Sequence, residues 1–553
     1  MDENIEDTNV PTNEESTQVS SPEVEITQNA SRPTENPDGY QVVGPPLVQF
    51  YGRKTLYADF DEKDVNSGSL TDIIKNITKI LNDVWSTHKQ NMYEIDYLEK
   101  YYRGFQPIIG KRKDVRPSIN NIVIENNAYF AVNFKTGYVF GQPIQFVQRG
   151  DIANKEVEIL NSYVLAEDKY AKDSELAESI YTSGIAHRLV LPNIDEDSPF
   201  DIENLDSKTT FCVYSSGVGH KKLLGCTFTK KVNTNEISGS IYTKTGFYTF
   251  TTGAVETSFK VQYVKPYYLK NIPIIEYSFN KWRMGIIEVV MSMFNAINRI
   301  TSGDLDGLEQ YIQSIMVFIN QEIDKETYKD VLNLGAVELN TADPSRPADL
   351  KLLQNELSHS NTEVLHSRLI NMALTIIGIP NLQENSSGGD TGEARKLGNG
   401  WTMADERANQ EEMAFKRCSK EEIKLILSIC KIDPNSNIND LTLKDIEMKF
   451  TRNKSDNFLV KAQGMMNLVQ SGVSPDVAFA ASGMFSDSNE VYTKSLDFYG
   501  GIENWIATIV SNTVSKKSEK AAKADIIEED EDASNDEADK NIIGADKVND
   551  SKE

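Results

Sequence analysis

Few residues in the chain have the type and spacing of metal ligands. Its 553 residues include five histidines and four cysteines. His359 and His366 are the histidines closest in sequence, but seven residues on a helix place them about 10 Å apart, too far to share an ion on one face. Asp304-Leu305-Asp306-Gly307 resembles the start of a calcium loop, yet Ile315 stands where the closing glutamate is needed. We predict no metal site and no cofactor, and a helix cap near Ser302 instead.

Catalytic motifs of fixed spacing are absent from the sequence. The patterns G-x-x-x-x-G-K-[ST], G-x-S-x-G and H-E-x-x-H do not occur. Gly217-Val218-Gly219-His220-Lys221 lacks the spacing and the hydroxyl residue of a phosphate loop and is typical of a hairpin turn. We therefore predict that the protein is not an enzyme. A metal-dependent enzyme that processes nucleic acid with scattered carboxylates is the alternative from a different class.

The cysteines form no C-x-x-C pair. Cys212 and Cys226 flank the predicted hairpin turn, so a cross-strand disulfide is conceivable. Two reduced, partly buried thiols are the prediction we favour.

The chain is strongly acidic, with 83 Asp plus Glu against 57 Lys plus Arg and a net charge of -26. Residues 1–40 and 514–553 carry -15 of this charge, and we predict that both ends are disordered. This balance argues against tight binding of nucleic acid over the whole surface. The basic run Lys111-Arg112-Lys113-Asp114-Val115-Arg116 follows two tyrosines, which leaves either a solvated loop or a nucleic-acid contact.

No apolar stretch approaches the roughly 20 residues that a membrane span needs. Met1 is followed by Asp2 and Glu3, so we predict no signal peptide.

Helical and extended patterns alternate along the chain. Ordered structure is predicted to start near Ser69, which caps a helix whose apolar residues recur from Leu70 to Val84. Further helices are predicted over 91–102, 121–137, 154–182, 393–431 and, as several short ones, 458–511, one of which begins at Ser474-Pro475 with proline in its first position. Strands are predicted over 144–148 and 441–451. Short β-branched and aromatic runs between residues 186 and 279 predict an antiparallel sheet.

Two mostly apolar helices flank a small insertion. On the first, over 285–300, Glu288, Ser292, Asn295 and Arg299 form one polar stripe, which we predict faces a channel or a water-filled seam. The second, over 361–379, has a polar row at Ser367, Asn371 and Thr375 and ends at Pro380. Helices apolar on most sides need several partners, which neighbouring subunits can supply. The insertion, 303–360, contains the apolar run Ile315 to Ile319 and is predicted to be a small α/β element.

A polar loop follows the second helix. Its only charges are Glu384 and Asp390, and a loop of this kind makes weak contacts with phosphates. We predict that it lines a DNA channel with Asn381, Leu382, Gln383, Glu384, Asn385, Ser386, Ser387, Gly388, Gly389, Asp390 and Thr391.

An ordered series of motifs resembles bacteriophage portal proteins of the SPP1 type, from about residue 70 to 510. The series begins with Tyr101-Tyr102-Arg103-Gly104, Ile119-Asn120-Asn121-Ile122 and the segment from Gly137 to Ile144. It continues with Ile272-Pro273-Ile274-Ile275-Glu276-Tyr277, the helix end Asn295 to Ser302, and the polar loop. No single motif is catalytic or highly specific, so the order and spacing carry the resemblance.

The resemblance implies a mainly helical α+β fold that assembles as a dodecameric ring. Its parts would be a disordered arm (1–66), wing (67–279), stem helix (280–302), clip (303–360), stem helix (361–379), tunnel loop (380–392), long helix and returning wing strand (393–457), crown (458–513) and disordered tail (514–553).

It also implies a place in the virion, at one capsid vertex, with the host cytoplasm as the site of assembly. Double-stranded DNA would pass through the ring during packaging and ejection. The implied partners are the terminase large subunit, head completion and tail adaptor proteins, and the major capsid and scaffolding proteins, with no membrane involved. A structural protein of the tail or baseplate is the third possibility, although it does not need two long apolar helices around an insertion.

Overall fold

The chain combines long helices with mainly antiparallel sheets, and strands β5 to β12 follow one another without an intervening helix, consistent with the predicted α+β fold. The computed structural model describes residues 34–35, 41–42, 44–114, 117–149, 155–193, 197–231, 236–252, 259–312, 315–319, 349–353, 359–380, 400–452, 458–485, 488–505 and 507.

The described helices are α1 (Glu62–Asn66), α2 (Leu70–Tyr102), α3 (Asn127–Phe140), α4 (Lys155–Ala166), α5 (Lys169–Ser183), α6 (Ile286–Ile312), α7 (His359–Ile377), α8 (Trp401–Ile432), α9 (Phe458–Gln470), α10 (Pro475–Ser482) and α11 (Ser488–Tyr499). The strands are β1 (Thr34–Glu35), β2 (Gln41–Val42), β3 (Leu56–Ala58), β4 (Gln145–Gln148), β5 (Ala186–Pro192), β6 (Phe200–Leu205), β7 (Thr210–Ser215), β8 (Lys222–Lys230), β9 (Ile237–Tyr242), β10 (Gly246–Thr252), β11 (Phe259–Pro266), β12 (Ile274–Tyr277), β13 (Ile315–Ile319), β14 (Asp349–Leu353) and β15 (Ile446–Lys449).

The chain divides into two compact units. The first comprises Met1–Thr136, Glu175–Val190 and Ile202–Glu422, and the second comprises Gly137–Ser174, Leu191–Asp201 and Ile423–Glu553.

A six-stranded sheet forms the centre of the first unit, in the order β11-β10-β9-β8-β7-β3. Its strands pair antiparallel, as predicted, except that β3 pairs parallel with β7. One face packs against α2 through a buried apolar cluster that includes Ile77, Leu81, Trp85, Phe228 and Phe259. The Trp85 ring lies 5.0 Å from the Phe259 ring and 5.3 Å from the Phe228 ring, centroid to centroid. Burial of this aromatic surface couples the helix to the sheet.

Helix α2 is continuous over 33 residues, so the prediction of two helices was wrong. The segment between them contains no glycine or proline. Trp85 and His88 within it are both buried on the face that packs on the sheet, which favours continuing the helix. Its start was predicted correctly: Ser69 accepts a hydrogen bond from the Asp72 amide.

Ordered structure begins well before Ser69, contrary to the prediction. Leu56 and Ala58 of β3 are buried in the sheet core, and Arg53 is only 3% exposed. Residues 44–66, predicted to belong to a disordered arm, instead include β3 and α1, and β3 pairs with β7 of the sheet. The predicted disordered segments 1–40 and 514–553 lie outside the described residues, apart from β1.

Three other element boundaries differ from the predictions. Residues 121–125 are extended rather than helical, since the amides of Asn121, Val123 and Glu125 bond to α6 as described below, and Asn126 has a left-handed φ of +46° before α3 begins. The predicted helix over 154–182 is two helices, α4 and α5, separated at Asp168, whose φ of +50° is incompatible with a right-handed helix. The strand predicted over 441–451 is confined to β15.

Register excludes the disulfide alternative. Cys212 pairs with Gly225 and Cys226 pairs with Phe211, so the two thiols point to opposite faces of the sheet. Both are buried free cysteines, as predicted.

The second unit contains the two-stranded sheet of β4 and β15 together with α4, α9, α10 and α11. The Tyr163 hydroxyl donates to the Ser436 carbonyl at 2.7 Å, and Phe140 contacts Phe450. Helix α10 begins behind Ser474 with Pro475 in its first turn, as predicted. In the part of the chain that the structure describes, no helix is long and apolar enough to cross a membrane.

Replacing Trp85 with alanine should destabilise the fold by about 3–5 kcal/mol, because it empties a large volume between α2 and the sheet. Trp282→Ala is the matched control. That indole is 63% exposed and interacts mainly with Lys281, so its loss should cost less than about 1 kcal/mol. Chemical denaturation of both variants measures the difference. Equal decreases in the free energy of unfolding in Trp85→Ala and Trp282→Ala would show that Trp85 does not anchor α2.

Candidate functional site

Helices α6 and α7 pack against each other and flank the predicted insertion. Helix α6 does not end near Ser302 but continues to Ile312, so the predicted cap and the predicted end of the stem helix were wrong. Helix α7 ends as predicted, just before Pro380, with Gly378 in a left-handed conformation (φ +73°). The run Ile315–Ile319 is a strand, as predicted, and pairs antiparallel with β14.

One face of α6 carries buried polar side chains along its length. The members are Glu288, Asn295, Asn298, Ser302 and Asp306, each at most 6% exposed. At 100° per residue they fall within an arc of about 80°, and all face the segments that precede α3. We call this set the α6 seam.

The upper end of the α6 seam is a buried ion cluster. The Arg53 guanidinium lies between the carboxylates of Glu288, in direct contact, and Glu94, at 3.2 Å. Glu288 also accepts hydrogen bonds from the amides of Gly52 at 3.1 Å and Gly285 at 2.7 Å. Burial raises the pKa of Glu288, and the Arg53 charge offsets part of the rise; burial likewise raises the pKa of Glu94.

The middle of the α6 seam binds the end of α2 and the extended segment. Tyr101 donates its hydroxyl to Asn295 at 3.0 Å. The Asn298 side chain accepts from the Glu125 amide at 3.1 Å and donates to Gln106. The Ser302 hydroxyl accepts from the Val123 amide at 3.0 Å. These bonds explain why residues 121–125 stay extended, because a helix would turn their amides away from α6.

Asp306 forms the lower end of the α6 seam. Its carboxylate accepts from the Lys111 ammonium at 2.6 Å, the Lys113 ammonium at 3.1 Å and the Asn121 amide at 2.7 Å. Burial opposes ionisation of Asp306, but these donors outweigh it and lower its pKa to about 2. Lys111 and Lys113 therefore belong neither to a solvated loop nor to a nucleic-acid contact, the two predicted alternatives. Both lysines pair with Asp306 and hold their segment against α6.

The predicted channel stripe is divided between two environments. Glu288 and Asn295 are 0% and 6% exposed, so the prediction that they face a channel was wrong. Ser292 and Arg299 are exposed. They border a groove of about 580 Å³ whose other walls include Leu47, Gln49 and Ile300. That Ser292 and Arg299 face a channel or a water-filled seam stays a prediction.

Sequence spacing did not identify the α6 seam, because a buried hydrogen-bonded asparagine and an exposed one look alike in sequence. The available signal was the order of the motifs around Tyr101 and Asn121, whose side chains prove to be partners of α6.

The outer side of α7 is apolar and exposed. Val364, Leu365, Met372 and Ile376 are 68%, 48%, 51% and 38% exposed. In its predicted polar row, Ser367 and Asn371 are half-buried and Thr375 is exposed. The Nε2 atom of His366 lies 2.8 Å from the Glu125 carboxylate. The predicted channel loop, 381–391, lies outside the described residues, as does most of the predicted clip.

Helix α8 is fixed to the first unit by buried charges. The Lys135 ammonium and the Tyr181 hydroxyl both donate to Glu411, at 2.9 and 2.7 Å. Arg188 donates to Glu422 at 3.0 Å, and the Tyr277 hydroxyl donates to the other Glu422 oxygen. The residues predicted to start this helix, 393–399, are outside the described part of the chain.

Comparisons with known proteins place this arrangement in one class, the phage portal proteins. The family described as phage portal protein, SPP1 Gp6-like, matches residues 81–491. The match includes the larger part of α2, the strands β4 to β12, the helices α6 and α7, and the long helix α8. The chain belongs to this SPP1 Gp6-like portal family, which confirms the resemblance.

Two solved structures are also similar, described as "Neck of empty GTA particle computed with C6 symmetry" and "Virion of native gene transfer agent (GTA) particle". Each shares 11% identity with the chain over 71% of its length and 94% of their own, with TM-scores of 0.40 and 0.39. Sequence identities and TM-scores this low add nothing to the family assignment. A comparison with curated proteins gave no significant match. The family is one of structural, non-enzymatic components of phage virions.

Replacing Arg53 with methionine leaves Glu288 and Glu94 buried without their cation. We expect this change to lower the free energy of unfolding by about 3–5 kcal/mol at neutral pH. Since both carboxyls have raised pKa values, the folded state keeps their protons to a higher pH than the unfolded chain does. The loss should therefore shrink as the pH falls towards the ordinary glutamate value of 4.5.

Chemical denaturation at about pH 7 and about pH 5 measures this dependence. Arg103→Met is the control, since that side chain is 72% exposed and 3.9 Å from Glu99. A loss in Arg53→Met that is the same at both pH values would contradict the ion cluster.

Proposed function

We propose that this protein forms a closed ring at one capsid vertex and is the conduit for double-stranded DNA during terminase-driven packaging and ejection. By the family resemblance the ring has twelve copies and binds head completion and tail proteins. Membership in the portal family is the observation that carries the proposal. Membership in this family also argues against the alternative, a metal-dependent enzyme that processes nucleic acid.

The exposed apolar side of α7 supports assembly. Four large apolar side chains on one helix are more than scattered surface residues, and such a patch marks a protein interface. A ring uses heterologous contacts, in which two different surfaces of each copy meet. The opposite surface would be the exposed side of α6, which presents Val289 and the groove beside Ser292 and Arg299.

The assignment of parts follows the resemblance, with two boundaries revised. The stem would be α6 and α7, and α6 extends ten residues further than proposed from the sequence alone. The wing would begin near residue 44 rather than at 67. The clip, tunnel loop and crown keep their predicted ranges, except that the clip begins after Ile312.

Sparse charge suits a surface past which DNA slides. Tight binding requires many Lys and Arg side chains that displace phosphate counterions. Helix α6 contains one basic residue, Arg299, and the proposed tunnel loop has Glu384 and Asp390 as its only charges. Contacts with passing phosphates would be weak and readily broken.

Met372→Glu should prevent the ring from forming, because it buries an unpaired carboxylate in the proposed contact between neighbours. Circular dichroism should show an unchanged helix content, and mass photometry should show single chains in place of the ring. Leu165→Glu is the control: that side chain, 80% exposed at the end of α4, belongs to neither helix of the proposed stem, and its replacement should leave assembly unchanged. Rings at normal yield in Met372→Glu would exclude α7 from the contact.

The double change Glu384→Arg and Asp390→Arg should reduce the DNA packaged per particle, because added cations in every copy would bind passing phosphates. The control is Glu158→Arg with Asp197→Arg, which makes the same change of net charge at two exposed positions outside the loop. Packaged DNA is measured in particles whose rings assemble normally. Unchanged packaging would remove the loop from the channel.

A further inference from the structure

Three potential metal ligands meet in the first unit, at a place that the conduit does not use. His187 on β5, Cys212 on β7 and Glu276 on β12 each offer one ligand atom, and these atoms all lie within 4.8 Å of one another. The histidine and cysteine residues are each 1% exposed, and the glutamate side chain is 8% exposed. The residues are distant in sequence, so their spacing gives no metal motif.

His187 is held as a ligand would be. Its Nδ1 lies 2.9 Å from the Ser207 hydroxyl, so an Nδ1 proton donated to that oxygen leaves the Nε2 lone pair free. Nε2 is buried and has no hydrogen-bond partner; the nearest carboxylate oxygen, on Glu276, is 3.6 Å away. A buried nitrogen that makes no hydrogen bond, with only a carboxylate at ion-pair distance, is uncommon and calls for an explanation.

We propose that His187, Cys212 and Glu276 bind one zinc ion. Imidazole nitrogen, thiolate sulfur and carboxylate oxygen form a donor set for zinc, whereas magnesium and calcium require oxygen ligands. Two ligand atoms 3.6 Å apart, each about 2.1 Å from an ion, subtend about 120° at it, close to tetrahedral. In a tetrahedral site sulfur and nitrogen are about 3.6 Å apart, so the thiol needs to approach by about 1.2 Å at most.

Two anionic ligands match the two charges of the ion, and with Arg283 beside Glu276 the cluster keeps one net positive charge. Zinc displaces the Cys212 proton to solvent, and the thiolate and the Glu276 carboxylate then neutralise the ion. Arg283 holds the other oxygen of Glu276, which fixes the carboxylate. The Lys222 ammonium is paired with Glu421 at 2.6 Å. Without the ion, burial raises the pKa of the Cys212 thiol to about 12, so the sulfur stays protonated.

Such an ion would be structural. Strand β7 belongs to the six-stranded sheet, and β5 and β12 belong to the three-stranded sheet β12-β5-β6. The site would therefore fasten the two sheets to each other, and its burial means that the ion enters during folding.

The test is zinc content by mass spectrometry of the untagged full-length protein, expressed with added zinc and dialysed. We expect about one ion per chain in the wild type. Cys212→Ser should lose it. Cys226→Ser, which changes an equally buried thiol on the opposite face of the sheet, should keep it. Ser207→Ala should weaken zinc binding about 10–100-fold in competition with a chelator.

Cobalt substitution gives a second readout should Cys212→Ser fail to fold. Cobalt bound to a thiolate shows a sulfur-to-metal charge-transfer absorption, expected in the wild type and in Cys226→Ser. Zinc at background level in the wild type, zinc retained by folded Cys212→Ser, or cobalt without that absorption would each overturn the proposal. None of these results bears on ring assembly.

Discussion

The first unit depends on how α6 satisfies its buried polar face. Charges and amides that leave water must find partners inside the protein, and each unpaired one costs several kcal/mol. The α6 seam meets this requirement from Glu288 to Asp306, with partners from residues 52–53, the end of α2 and residues 106–125. Because these bonds are directional and recur at successive turns, they hold α6 in a single orientation about its own axis. Apolar packing alone would allow it to turn or slide.

This fixed rotation decides which side of the helix pair is available for contact. With the α6 seam turned inward, Val289, Ser292 and Arg299 face outward, and α7 presents Met372 and Ile376. A conduit has to keep its wall in place while a charged polymer moves past it. Internal anchoring by hydrogen bonds and ion pairs, combined with a weakly charged outer side, fits that requirement without strong contacts to DNA.

Sequence patterns predicted the features that depend on local periodicity. The strands between residues 186 and 279, the end of α7 at Pro380, the run Ile315–Ile319 and the Pro475 helix start all follow from spacing and turn residues. The failures have a common physical cause, which is contact between residues far apart in the chain. The polar stripe of α6 was identified, but Arg53 and Tyr101, which draw Glu288 and Asn295 inward, are nearly 200 residues or more away in sequence. Residues 121–125 were predicted as helix because the sequence alone does not show the bonds to α6 that keep them extended.

We propose that copies of this chain close into a ring around a channel, and electron microscopy of the purified full-length protein can show such a ring. We expect particles of one ring size with a central hole, and class averages in which α6 and α7 of successive copies surround that hole. Single chains, or assemblies without a hole at concentrations where the protein is folded, would contradict it.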